Sequence, residues 1–426
     1  MIIHAVRPGE SLYSIARQYG VSYEKVAQYN ELRNPDRLVV GQTIVILQQN
    51  RNHTVAPGQS IYSIAQMYGV SVQAIIAANP AITNPSLIYP GQVLTIPGET
   101  QPIRTIEVNG YAFPGINMTV LRKTLPNLTY LSIFSYEVRP DGSLSTINDT
   151  PLITAAREMG VAPLMVITNI EQDGGFSSNL AHTILSNPSI QDILLSNVVR
   201  TLRTKNYHGL DIDFEYVYPN DKQNYNDFLR KTVNRLTPLG YTVTTALAPK
   251  ISANQPGLLY EAHDYPVHGA LASHIIIMTY EWGYTYGPPM AVAPLNQVRH
   301  VLNYAVTAIP SRKILMGIPN YGYDWTLPYT PGTAARTISN TGAVDLAANV
   351  GAAILFDPVA QAPYFRYYDE QGRQHIVWFE DARSIQAKLR LVNEYNLGGV
   401  SYWTIGSYFP QNWLVLRSMY NIRRVI

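Results

Sequence analysis

Asp211, Asp213 and Glu215 stand at every second position of the stretch Gly209-Leu210-Asp211-Ile212-Asp213-Phe214-Glu215. A β-strand sends successive side chains to opposite faces, so the three carboxylates share one face and Leu210, Ile212 and Phe214 share the other. Three neighbouring carboxylates repel one another and are costly to bury. An edge strand with a solvated acidic face would carry the same alternation. The apolar neighbours point instead to an acidic face turned into a confined site. Crowded like charges push pKa values apart, so that one carboxyl keeps its proton near neutral pH. A general acid needs that property.

Such a strand must be held by a larger sheet. Apolar, β-rich runs recur between helical stretches at 106–108, 130–134, 162–168, 209–214, 242–246, 274–279, 313–318 and 399–403. Eight strands alternating with helices predict an α/β protein, a (β/α)8 TIM barrel. Its chemistry would gather at the C-terminal ends of the strands, where Glu215 falls on the fourth. The ~325 residues after position 100 exceed the ~250 of a simple barrel. The excess falls at about 324–380, where two β-rich runs, 364–368 and 375–379, flank Asp369-Glu370-Gln371-Gly372 and predict a hairpin.

The chain opens on an internal repeat. Val6-Arg7-Pro8-Gly9-Glu10-Ser11-Leu12-Tyr13-Ser14-Ile15-Ala16 returns as Val55-Ala56-Pro57-Gly58-Gln59-Ser60-Ile61-Tyr62-Ser63-Ile64-Ala65. Asn30 returns as Asn79, and Gly41-Gln42 as Gly91-Gln92. Self-similarity at a fixed period marks duplicated modules. Each unit reads strand, helix, helix, strand. Ser11, Ser22, Ser60 and Ser71 stand where helices are capped, and Gly20 and Gly69 where they end. Polar linkers are expected at 48–51 and 98–102.

Lys and Arg number 31 against 29 Asp and Glu, a formal net charge of +2. That balance provides no strong field for nucleic acid or for an anionic membrane. No apolar run approaches the ~20 residues of a membrane span. Met1-Ile2-Ile3-His4 lacks a basic start and a sustained apolar stretch, so no secretory signal is expected. With no cysteine, disulfides and thiolate metal sites are excluded. The 31 tyrosines suit sugar rings, with a flat apolar face and a polar tip, but they also fill cores.

The acidic run resembles the D-G-x-D-x-D-x-E signature of family 18 glycoside hydrolases, the chitinase-like enzymes. Gly209, Asp211, Asp213 and Glu215 match it, and His208 replaces the first Asp. The resemblance implies Glu215 as general acid and then base, and Asp213 as the group that orients the substrate's 2-acetamido N–H. It implies Asp211 as the proton-sharing neighbour below. Met278-Thr279-Tyr280-Glu281 is close to the family's M-x-Y-D, which implies Tyr280 as donor to the acetamido oxygen and Glu281 at the sugar, with Met278 beside them. Trp403 matches the tryptophan floor of the reacting subsite, and Tyr111 and Phe134 match its lining aromatics. The segment at about 324–380 resembles the α+β insertion found between the seventh strand and helix in many family 18 chitinases. The reaction implied uses the substrate's own acetamido group as nucleophile and needs no metal or cofactor. His208 reads as a buried, hydrogen-bonded residue.

The repeats resemble LysM modules, which bind glycans containing N-acetylglucosamine. Carried over, that implies binding loops with Gly9, Ser11 and Asn30 in the first and Gly58, Ser60 and Asn79 in the second. The expected organisation is a LysM module at 1–48, another at 51–98, and the barrel with its insertion at 101–426. The order LysM–LysM–barrel resembles the spore-cortex N-acetylglucosaminidases of spore-forming bacteria. It implies cleavage after N-acetylglucosamine in cortex peptidoglycan during germination, by an enzyme made in the mother cell and kept in the coat–cortex region. A chitinase or chito-oligosaccharidase, and a silent chitinase-like glycan-binding coat protein, are the alternatives.

Overall fold

The structure is a computed structural model that describes residues 1–47, 50–98, 102–171 and 174–426. Eight parallel strands form the barrel: β1 (Arg104–Ala112), β2 (Tyr130–Glu137), β3 (Ala162–Thr168), β4 (Gly209–Asp213), β5 (Thr242–Leu247), β6 (His274–Ile277), β7 (Ile314–Pro319) and β8 (Gly399–Trp403). Each pairs with the next, and β8 closes on β1 through Val400 opposite Val108. All eight expected strands are present. The sixth is shorter than its apolar run, which leaves Met278 and Thr279 beyond the ladder.

Period-two alternation decides what faces where. Leu210 and Ile212 point outward into the main apolar core. There they join Leu194, Leu195, Val198 and Leu202, buried residues of the helix Pro188–Lys205 that recur at helical spacing. Val166, Ala246, Ile276 and Leu315 point inward, together with Tyr111 and Phe134. Asp211 and Asp213 share that interior and are buried. Gly209 has a steric reason in this strand: a Cβ there would lie 2.2 Å from Thr242 Oγ1.

Between β7 and the helix Ala382–Glu394 lies the insertion, a five-stranded antiparallel sheet with the helix Asn340–Val350. The expected hairpin is Ala362–Tyr368 paired with Gln374–Trp378. Gly372, at φ +74, occupies the left-handed position of its turn.

Both repeats fold as strand, helix, helix, strand: Ile2–Ala5, Leu12–Tyr19, Tyr23–Tyr29 and Thr43–Ile46, then Arg51–Thr54, Ile61–Tyr68, Val72–Ala78 and Val93–Ile96. Ser11 and Ser60 cap the first helices in reciprocal capping boxes with Ser14 and Ser63. Gly20 and Gly69 end them in the left-handed conformation. Of the expected linkers, residues 48, 49 and 99–101 lie outside the described residues. Arg51 is not linker but the first residue of a strand, because the second module's opening strand starts there.

The two modules differ in their surroundings. The second keeps its own apolar core around Ile61, Ile64, Ile75 and Leu94. The first docks on the barrel and insertion. Thr43 Oγ1 donates to Gln411 Oε1 at 3.0 Å, Gln411 Nε2 donates to Asn30 Oδ1 at 3.1 Å, and Ile354 N–H donates to Val40 O at 2.8 Å. Val39 enters the insertion's core and Val45 the barrel's. The approach at Gly41 is so close that a Cβ would stand 1.8 Å from Ile354 O, whereas at Gly91 it would meet nothing within 4 Å.

Candidate active site

The C-terminal ends of the strands surround a cleft of about 710 Å³. Asp213, Glu215, Tyr280, Glu281, Met278, Tyr111, Phe134 and Trp403 all line it. Asp211 lies one strand repeat deeper, fully buried. The residues expected at the site from five stretches of sequence are therefore brought together by the barrel's closure.

The carboxylates sit in graded surroundings. Asp211 Oδ2 accepts from Tyr111 Oη at 2.6 Å and from Ser132 Oγ at 3.3 Å. Burial raises its pKa to about 6 in spite of these donors. Asp213 is pushed well above the usual carboxylate range by burial and then by the charges of Glu215 and Asp211. The Oδ1 atoms of Asp211 and Asp213 are buried with no partner among the described residues. Such a pair holds a shared proton more readily than two charges. Glu215 follows the end of β4 and is half-buried at the cleft wall. Burial, reinforced by the charge of Glu281, raises its pKa to about 7, so a substantial share of it is still protonated near neutral pH.

Tyr280 is pushed up by burial and by the surrounding carboxylates, Asp213 and Glu215 first, and so remains a hydroxyl donor. Glu281 is held by two tyrosines that the sequence reading did not single out. Tyr321 Oη donates to Glu281 Oε1, and Tyr323 Oη donates to the same oxygen at 3.1 Å. Burial raises Glu281, and these two hydrogen bonds oppose the rise.

Trp403 forms the floor. Its ring centroid lies 5.3 Å from that of Tyr111 and 4.8 Å from that of Phe134, both edge-on. Phe113, exposed and also edge-on at 5.8 Å, extends this floor outward. It follows Tyr111 by two, so the strand period could have found it. The outer walls are aromatic as well, with Tyr216, Tyr260, Trp282 and Tyr284. Aromatic faces over a cleft of this size, beside two buried carboxyls and the half-buried Glu215, suit the apolar faces of a sugar chain.

His208 departs from its expected place. It is half-buried, its ring centroid 6.3 Å from that of Tyr130 at the start of β2, and it precedes β4 on the side away from the cleft. Burial lowers its pKa. The residues that act on Asp211 are Tyr111 and Ser132.

In the LysM modules, Gly9 and Gly58 adopt φ +81 in the first loop, next to the exposed caps Ser11 and Ser60. Asn30 is buried and fully engaged: Nδ2 donates to Val26 O and Val45 O, and Oδ1 accepts from Val45 N–H and Gln411. Asn79 likewise donates to Ile75 O and Thr95 O and accepts from Thr95 N–H. Both amides tie the second helix to the closing strand. That leaves neither with a free N–H for a sugar.

The family model described as Glycosyl hydrolases family 18 matches residues 125–407, and the LysM domain matches residues 4–47 and 53–97. The chain belongs to family 18 of the glycosyl hydrolases and carries two LysM domains ahead of its barrel. It is 44% identical to the cortical fragment-lytic enzyme of Bacillus subtilis (strain 168), over 99% of each chain. It is 42% identical to the enzyme of the same name from Bacillus anthracis, again over 99% of each. Among solved structures, the spore cortex-lytic enzyme SleL of Bacillus megaterium QM B1551 superposes with a TM-score of 0.88 at 44% identity, covering 100% of this chain and 99% of that one. The chain is thus a glycoside hydrolase whose whole domain order is shared with its relatives.

Proposed function

We propose that the enzyme hydrolyses β-1,4 bonds after N-acetylglucosamine in spore-cortex peptidoglycan fragments, with retention and with the substrate's acetamido group as nucleophile. The observation that carries this reading is the placement of Glu215 beside Asp213 and Tyr280 in one cleft with Trp403, Tyr111 and Phe134. Burial, which raises the Glu215 pKa, suits it to the part of an acid. Glu215 gives its proton to the glycosidic oxygen as the C1–O bond breaks. The acetamido oxygen closes on C1, Asp213 accepts the acetamido N–H, and Tyr280 donates to the acetamido oxygen. Glu215, now a carboxylate, takes a proton from water, whose oxygen opens the oxazolinium ion at C1 from the original face. The product is a β-configured hemiacetal.

The cortex as substrate is supported by the relatives' names and by the full-length similarity to them. Action at the spore cortex is supported by the same names. On the resemblance alone, we propose that the enzyme is made in the mother cell and kept in the coat–cortex region. The LysM modules hold it on glycan through the loops of Gly9 and Ser11 and of Gly58 and Ser60. Asn30 and Asn79, proposed from the resemblance as binding residues, tie the second helix of each module to its closing strand. N-Acetylmuramic acid also carries an acetamido group, so pocket shape at the aromatic floor makes the choice between the sugars. Mass spectrometry of borohydride-reduced cortex digests tests this. New reducing ends should be N-acetylglucosaminitol. New muramitol ends, or turnover on chitin oligomers alone, would overturn it.

A further inference from the structure

Glu215 lies beyond the sheet that should hold it. The pairing of β3 with β4 ends at Thr168 opposite Asp213, and that of β4 with β5 ends at Ile212 opposite Thr245. No ladder rung reaches Glu215, and the next residue, Tyr216, turns into positive φ. A carboxyl that must reach a glycosidic oxygen within a few tenths of an ångström cannot hang from a free main chain.

Two side chains take the place of the missing rungs: His263 Nε2 lies 3.0 Å from Phe214 O, on the peptide that enters Glu215, and Asn169 holds the N–H and C=O of Glu215 itself. Asn169, the residue after β3, is fully buried. Its Oδ1 accepts the Glu215 N–H at 2.9 Å, and its Nδ2 donates to the Glu215 C=O at 2.8 Å. A primary amide presents donor and acceptor side by side, as a peptide edge does, so the two bonds close on the same residue and fix its rotation about the chain axis. The second Nδ2 hydrogen goes to Ser177 O at 3.0 Å, and Ser177 N–H returns to Asn169 O at 2.8 Å. The amide is thereby locked in its own orientation. Further out, Ser178 Oγ donates to Tyr216 O and Tyr218 Oη donates to Asn179 Oδ1 at 2.8 Å, which continues the lacing along the same two segments.

We infer that Asn169 is the positioning residue of the general acid: its amide serves as an additional sheet rung that aims the Glu215 carboxyl at the leaving oxygen. It touches no substrate and leaves Asp213 and Tyr280, which hold the acetamido group, untouched. The inference rests on Glu215 being the acid.

The test uses the full-length enzyme and soluble cortex fragments. In Asn169→Ala, kcat should fall ~10–100-fold, the cost of misplacing a reacting group by about 1 Å. KM, and inhibition by a thiazoline mimic of the oxazolinium ion, should stay within about threefold, because Asp213 and Tyr280 carry them. Asn169→Asp keeps the shape and the acceptor for the Glu215 N–H and loses both donors. It should show the same split, and it answers the question if the alanine variant does not fold. Unchanged kcat in either folded variant would overturn the inference. So would a parallel loss of kcat and thiazoline affinity, which would make Asn169 a general structural support. Activity retained in Glu215→Gln would remove the acid that Asn169 is said to position and so overturn the inference with its premise. A wild-type enzyme indifferent to the thiazoline would count against the acetamido nucleophile alone and leave the kcat-against-KM split to decide the role of Asn169.

Discussion

Replacing Glu215 by Gln should make the enzyme inactive and, above neutral pH, more stable. Burial and the charge of Glu281 raise the Glu215 pKa from 4.5 to about 7 in the folded protein. A group whose folded pKa is raised favours the folded state below its unfolded pKa, and that advantage is lost as pH rises through the folded pKa. The window therefore runs from about 4.5 to about 7. Over it the wild-type loses at most ~3 kcal/mol to the ionisation of this side chain. Glu215 borders an open cleft, so solvent screens part of that cost and ~1–2 kcal/mol is the expected size. Glutamine does not ionise and keeps nearly the same shape. Thermal midpoints of the two proteins should coincide near pH 4, below the window, and the variant should melt a few degrees higher at pH 8. Turnover of the same variant should drop ~10²–10⁴-fold. A midpoint difference of equal size at both pH values would refute the charge argument. A variant keeping a tenth of wild-type turnover would refute the assignment of the acid.

Glu281→Gln removes the charge next in importance to burial in raising Glu215, so the basic limb of kcat/KM, expected near pH 7, should move to lower pH. An unmoved limb would mean that burial alone sets it. Gly41→Ala should lower the thermal midpoint clearly, because its Cβ would meet Ile354 O, whereas Gly91→Ala should cost only the ~1 kcal/mol of an unfavourable backbone angle. Equal effects at the two positions would contradict the docking of the first module. In glycan pull-downs on insoluble cortex, Glu215→Gln should bind like the wild-type, since the modules and the barrel floor are unchanged; lost retention would tie binding to the catalytic carboxyl.

The barrel was legible because its strands repeat a simple pattern. A β-rich run between helical stretches is visible wherever the core demands it, and all eight runs became strands. The placement of the carboxyls was legible for the same reason, since period two puts Asp211 and Asp213 inside together. Other features depend on partners far away in sequence. Asn169 meets Glu215 across two strands, and nothing in Thr168-Asn169-Ile170 marks its amide as a rung. Tyr321 and Tyr323 stand among many tyrosines, and only the fold brings them to Glu281. The repeats look alike in sequence, yet the first alone meets Gln411 and Ile354, a difference that lies on the barrel's surface rather than in the modules. Asn30 and Asn79 recur as a binding residue would, but their recurrence reflects a shared internal scaffold.

The central claim is that the acetamido group of the substrate, oriented by Asp213 and Tyr280, is the nucleophile while Glu215 serves as acid and then base. Early-time proton NMR of the first product on soluble cortex fragments tests it most directly, before the hemiacetal mutarotates. Two successive inversions at C1, by the acetamido oxygen from the face opposite the leaving group and then by water from the original face, predict the β-anomer of the new reducing-end N-acetylglucosamine. An α-anomer as the first-formed product would mean that water attacks directly, and would contradict the account.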